Sequence, residues 1–131
     1  MREIKFRGKT RTTEGEKWVY GYLYKVKSFF DEDENCYIRN EHITDFIVDK
    51  DTVGQYTGLK DKNGVEIYEG DILEYMAIAD GKQTDKVIFD RGTFVVDYSE
   101  DYKQPVNEIN HCAKVIGNIY DNPELIEKEG K

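Results

Sequence analysis

One stretch constrains the fold more than any other: Trp18-Val19-Tyr20-Gly21-Tyr22-Leu23-Tyr24-Lys25-Val26. Aromatic and β-branched side chains lose rotamer freedom in a helix and pack well on a pleated surface, so this run reads as a strand. Shorter runs of the same character follow, each ended by turn formers. Ile4 and Phe6 alternate with Lys5 and Arg7 and stop at Gly8, which leaves the polar residues 9–17 as the loop of a wide hairpin. The acidic stretch 31–35 is a loop, and Cys36-Tyr37-Ile38 is a short strand. Residues 43–51 fit either period, with strand favoured because their surroundings are β. Thr52 to Thr57 is a strand ending at Gly58, and Asp61-Lys62-Asn63-Gly64 is a turn, since Asn-Gly supplies positive φ. Ile72 to Ile78 is a strand and Gly81 to Asp85 a polar loop. Lys86 to Phe89 and Thr93 to Tyr98 flank Asp90-Arg91-Gly92 as a hairpin. Val106 to Ile109 makes one helical or 3₁₀ turn, and Ala113 to Tyr120 is the last strand. Asn122 then caps a short helix with Pro123 at its first position.

These elements predict a mainly β chain, β-rich with an α+β alternative. It divides into an N-terminal β-hairpin region over residues 1–51, suited to oligomerisation, a small SH3-like β-barrel over 52–127, and a frayed tail over 128–131. Ten Tyr, six Phe and one Trp against two Pro argue for a folded domain, even at a net charge of −8 in 131 residues. No apolar run reaches the roughly 18 residues of a membrane helix, and the N-terminus lacks the apolar core of a signal peptide. Two distant cysteines suit reduced thiols in a cytoplasm, with Cys112 read as a core thiol.

The charge is unevenly distributed. Residues 1–27 carry eight Lys or Arg against three Glu, a net +5, whereas residues 28–55 carry eight acids against two bases, a net −6. A basic segment and an acidic one can attract each other between copies of the chain. The basic segment can also approach nucleic acid, whose phosphates dominate affinity.

Catalytic patterns are weak. Asp31, Asp33 and Asn35 start like a calcium loop, but Cys36 stands where glycine is required and His42 where glutamate is. His42, His111, Cys36 and Cys112 lack the close spacing of a zinc site. His111 and Cys112 are adjacent, which on a strand sends them to opposite faces. A phosphate-binding glycine loop and a nucleophile elbow are both absent. Paired carboxylates for a metal-dependent hydrolase can be drawn from Glu66, Glu69 and Asp71, but in a chain with 27 Asp and Glu such pairs arise by chance. Tyr56, Tyr68 and Tyr75 with Lys60 and Lys62 suit base stacking, opposed by the acids between them.

Three segments resemble a known family. They are Arg2 to Lys9 followed by Trp18-Val19-Tyr20-Gly21, then Val53 to Gly64 running on through Glu66 to Ile72, and last Val115 to Leu125. Together they resemble the YopX-like proteins of phages and prophages of low-GC Gram-positive bacteria. The resemblance implies a small, β-rich, cytoplasmic, oligomeric protein in a bacterial host, and it supplies no catalytic residues. Gln55, Tyr56, Gly58, Asp61, Gly64, Gly70 and Asp71 are its central signature, either as binding groups or as turn-forming hydrogen bonders. Arg7, Lys9, Trp18, Tyr20 and Tyr22 are the candidate interface, with Tyr24 beside them. The function expected is that of a non-enzymatic accessory protein without cofactor or metal, acting through self-association and through an unidentified host or phage protein. Nucleic-acid binding is the alternative.

Overall fold

Alternation of apolar and polar side chains organises the chain into antiparallel strands, as a computed structural model that describes residues 3–11, 15–29 and 34–126 shows. The chain is mainly β and separates into two compact units, residues 1–56 and 57–131. In the first unit, strands β1 (Phe6–Lys9), β2 (Trp18–Lys27), β3 (Glu34–Arg39) and β4 (Asp45–Val48) are antiparallel neighbours in chain order. The ambiguous stretch 43–51 is therefore strand over β4, followed by a 3₁₀ turn at Lys50–Thr52. Glu34 and Asn35, expected in a loop, open β3, while residues 31–33 and the calcium-like motif they begin lie outside the described residues.

The inner face of this sheet is the core of the unit. Val19, Cys36, Ile38 and Val48 are buried, with Phe6, Leu23, Phe46 and Val53 packed against them. The far edge of β1 is shared by two partners. Phe6 and Arg7 pair with Gln55 and Gly54 at the start of β5 (Gly54–Lys60). Thr10, just past β1, bridges to Val48, flanked by Asp49 N to Lys9 O at 2.8 Å and Arg11 N to Ile47 O at 3.2 Å. The two ends of the four-strand run thus meet through one bridge, short of a continuous ladder.

The second unit holds β6 (Glu66–Tyr68) beside the later residues of β5, and a five-stranded sheet. Its strands are β7 (Asp71–Ala77), β8 (Gly81–Asp90), β9 (Thr93–Val96), β10 (Gln104–Pro105) and β11 (Lys114–Asn118), in the order β10-β9-β8-β7-β11. Among the described residues no closed barrel forms. The turn at Arg91-Gly92 has both φ positive, at 50° and 85°, as a two-residue hairpin requires. Helix α1 (Val106–Ile109) is the single turn expected, and it sends Val106 and Ile109 into a core with Ile67, Leu73, Tyr75, Val87, Phe94 and Val96.

Three local expectations are corrected. Residues 81–85 are strand, paired with β7 from Gly81 opposite Ala77 to Asp85 opposite Leu73. Cys112 is exposed, because the chain turns after α1 and Ala113 takes the buried position. Asn122 precedes a 3₁₀ turn with Pro123 first, but its side chain does not cap that turn. It accepts instead from Asn118 N at 3.3 Å.

Gly21 is the tightest point of the first unit. Its φ is +155°, and a Cβ added there would lie 2.0 Å from the Arg39 carbonyl oxygen. Gly64 also has positive φ, at 82°, but faces open space. Gly21→Ala is therefore expected to cost well over the roughly 1 kcal/mol that Gly64→Ala loses to backbone strain alone. Urea denaturation of the two variants measures the gap.

Candidate functional site

Asp61 illustrates how the central signature is used. It starts the turn between β5 and β6 and is buried. Its Oδ1 accepts from Asn63 N at 2.8 Å and Val65 N at 2.9 Å, and its Oδ2 accepts from Val115 N at 2.9 Å. Burial alone would raise its pKa. The three backbone donors, with Lys62 nearby, outweigh that and hold the carboxyl below the usual Asp range. One side chain thereby shapes the turn and fastens it to β11. Lys62 N to Ala113 O and Asn110 Nδ2 to Lys60 O complete the attachment.

The other signature residues sit as follows. Gly58, Gly64 and Gly70 have φ of 85°, 82° and 93°, the region that favours glycine. Asp71 is buried and accepts from Tyr68 N at 2.7 Å. Tyr68 donates its hydroxyl to Glu66 at 3.1 Å. Gln55 is half-buried opposite Phe6, and Tyr56 is buried with the Lys5 ammonium 5.2 Å from its ring centre. Thus two members of the carboxylate cluster, Glu66 and Asp71, hold groups of Tyr68. Among the described residues, no three His, Cys, Asp or Glu side chains are grouped to hold a metal ion.

Sequence reasoning missed the polar pair in the second core. Tyr75 donates to Asp85 at 2.8 Å, both residues being buried. Burial, then the Asp85 carboxylate, push the Tyr75 phenol far above its ordinary pKa. Period-two spacing across β8 places Asp85 on the same face as Val87, but its polarity disguised the inward position.

The candidate interface lies on the outer face of β1 and β2. Here the expected basic surface is largely occupied. Arg7 is only 5% exposed, its guanidinium 4.5 Å from the Trp18 ring centre. Lys9 lies 5.6 Å from the same ring and 3.3 Å from Glu16. Lys17 stands 4.8 Å over Phe46, and Arg39 makes a two-point contact with Asp45 at 2.7 and 3.1 Å beneath Tyr24. Tyr24 is half-buried and stacked on Tyr37, with ring centres 5.3 Å apart. Tyr20 and Tyr22 remain exposed, Tyr22 at 71%, with Ile4 beside them. A cleft of about 800 Å³ runs under these residues, lined also by Trp18, Lys17, Arg39 and His42.

Ile43, next in the chain to the cleft-lining His42, is unusual. A β-branched residue rarely adopts positive φ, yet Ile43 has φ 60° and is 76% exposed. Asn40 fixes the turn, its Oδ1 accepting from His42 N at 2.9 Å and Thr44 N at 3.0 Å. The sequence holds no signal for this strain.

Such a chain is a mainly β, two-unit protein whose polar signature is built into its turns and whose most site-like surface is an aromatic face. Comparison with known proteins gives the family. The model described as "YopX protein" matches residues 5–127, nearly the whole chain, and the chain belongs to that family. The crystal structure of protein EF1440 from Enterococcus faecalis is similar, at a TM-score of 0.58 and 28% identity, over 97% of this chain and 100% of that one. No curated protein matches. No described helix is long and apolar enough to cross a membrane.

The buried polar contacts can be tested by substitution. Asp61→Asn, which cannot accept at both ends, should lose about 1–3 kcal/mol at neutral pH. The folded Asp61 carboxyl titrates below the unfolded value of about 3.9, so its contribution is present above that pH and vanishes as pH falls through the folded value. The difference in urea midpoint between wild type and variant should therefore close on acidification. Tyr75→Phe strips Asp85 of its hydroxyl donor and should cost about 1–3 kcal/mol, read from the thermal midpoint.

Proposed function

We propose that this YopX-family chain is a non-catalytic phage or prophage accessory protein that works in the host cytoplasm by associating with a second copy of itself. The observation that carries the proposal is that exposed Ile4, Tyr20 and Tyr22 line one cleft with Asn40 and His42, and that the strained, exposed Ile43 follows His42 directly in the chain. Backbone strain persists where surrounding structure enforces it, and such outliers cluster at functional surfaces. The Asn40 side chain holds an apolar residue out in water here.

A second copy fits the surface because the cleft is lined by both signs of charge. Glu3 and Glu41 stand with Lys5, Lys17 and Arg39 on one patch. A two-fold contact places the same patch against itself, so it needs both signs on one surface. Nucleic acid fits less well. A polyanion needs cationic heads that reach phosphates, and Arg7 is buried while Lys9, Lys17 and Arg39 lie against rings or carboxylates. In the same proposal the second unit, SH3-like in character though its five-stranded sheet is not closed among the described residues, faces a host or phage protein. Its open cleft of about 480 Å³, lined by Tyr98, Tyr102 and Glu108, supports that role.

Light scattering and sedimentation test the association. Wild type should form a dimer whose thermal midpoint rises with protein concentration, and Tyr22→Glu should dissociate it into a folded monomer whose midpoint does not depend on concentration. Ile43→Asn is the sharper variant, since Asn tolerates positive φ. It should gain about 1 kcal/mol of stability while weakening the dimer. A wild-type chain that stays monomeric at high concentration, or that binds labelled DNA with a steep salt dependence, overturns the proposal.

A further inference from the structure

A second cleft in the first unit, of about 590 Å³, is lined by Leu23, Cys36 and Val53, by Lys25, Lys27 and Lys50, and by Glu34 and Asp51. The strand register explains its composition. Leu23 lies opposite Ile38, Lys25 opposite Cys36, and Lys27 opposite Glu34, so both lysines occupy the core-side face of β2. The pattern is inverted here, because apolar Val26 points outward and is 46% exposed. Leu23 and Val53 pack against the buried core and form an apolar floor. Lys50 comes from a different element, the 3₁₀ turn fixed by Asp49, whose side chain accepts from Asp51 N and whose carbonyl accepts from the Thr52 hydroxyl at 2.7 Å.

These three cations differ from the others around them. Lys5, Arg7, Lys9, Lys17 and Arg39 each face a ring. Among the described residues, the ammonium groups of Lys25, Lys27 and Lys50 have no ion pair or hydrogen bond, although Glu34 and Asp51 are near in sequence or register. In a chain of net charge −8, solubility does not call for a local gathering of lysines. Inward charges also discourage pairing at open strand edges, but that purpose needs no lysine from a separate turn.

We propose that this cleft binds a small organic anion, an apolar or planar body carrying one carboxylate, sulfonate or phosphate. The floor would cover the body and the three ammonium groups would surround the charge. The volume is in the range of small-ligand pockets, while the lining, three apolar residues and five charged ones, is more polar than their usual build and suits a charged ligand. A nucleic acid fits less well, since its backbone would continue beyond these three lysines onto a chain of net charge −8. This site is separate from the dimer face and does not depend on it.

The experiment uses the full chain and 8-anilinonaphthalene-1-sulfonate, followed by fluorescence and by backbone NMR. Saturable binding of one probe per chain is expected, with shifts at Leu23, Cys36 and Val53. The double variant Lys25→Gln/Lys50→Gln should lose about tenfold or more in affinity at an unchanged thermal midpoint. Lys50→Gln alone, outside the strands, should lose a fraction of it and keeps the test open if the double variant folds poorly. The uncharged probe N-phenyl-1-naphthylamine should bind about tenfold or more weaker. Equal binding of the two probes, affinity indifferent to the lysines, shifts at Tyr20 and Tyr22 instead, or displacement by duplex DNA would each overturn the proposal.

Discussion

The first unit depends on the close approach at Gly21. There β2 passes from its pairing with β1 to its pairing with β3, and the backbone of Arg39 and Asn40 fills the space a side chain would need. That contact fixes where the β3–β4 turn leaves the sheet. It therefore fixes where Asn40 places Ile43, and on which face Arg39 meets Asp45 and Tyr24. Gly8, on the neighbouring strand β1, has a related role. A Cβ there would sit 3.0 Å from Val48 and 3.3 Å from Ile38, so the core of the unit closes onto bare backbone. Two glycines thus set the inner geometry, and the aromatic residues on the other face follow from it by strand parity.

The second unit is organised by a charge instead. Asp61 joins a hairpin turn to β11, and Asn118 acts similarly at the chain's close, its Oδ1 accepting from Tyr120 N and Asp121 N. Buried polar groups are costly unless paired, and paired they select one arrangement of the backbone. Of the residues singled out from the sequence, Asp61 and Asp71 are such fastenings. Gly117 belongs with them, since a Cβ there would lie 2.5 Å from Asn122 Oδ1.

Much of the fold was legible where residue chemistry and position agree. The aromatic run at 18–26 is β2, Arg91-Gly92 is a hairpin turn, and the turn at 61–64 has glycine where φ is positive. Legibility failed where polar residues take inward positions. Gly81 to Asp85 look like a loop by composition, yet they pair along β7, and Asp85 in the core accepts from the Tyr75 hydroxyl. The charge map misled in the opposite sense. A count of eight basic residues in the first 27 suggested a free cationic arm, whereas rings and carboxylates hold several of these side chains. The candidate surface was readable in its tyrosines but not in Ile43, because positive φ at a β-branched residue leaves no trace in composition.

The shared edge of β1 also sets an order of events during synthesis. Lys9 N bonds the Thr52 hydroxyl across 43 residues, and Phe6 pairs with Gln55. Neighbouring strands β2, β3 and β4 can zip up locally as they emerge, but the first strand keeps an open edge until the chain has grown past residue 55. Contacts between distant residues carry the loop-closure cost before they give anything back, and they slow folding accordingly. Strand β1 is thus made before all of its partners and is the last strand of the first unit to have both edges paired. For that interval an unpaired hydrogen-bonding edge is bare in the nascent protein, and the cationic Arg7 and Lys9 it carries guard it against stray pairing.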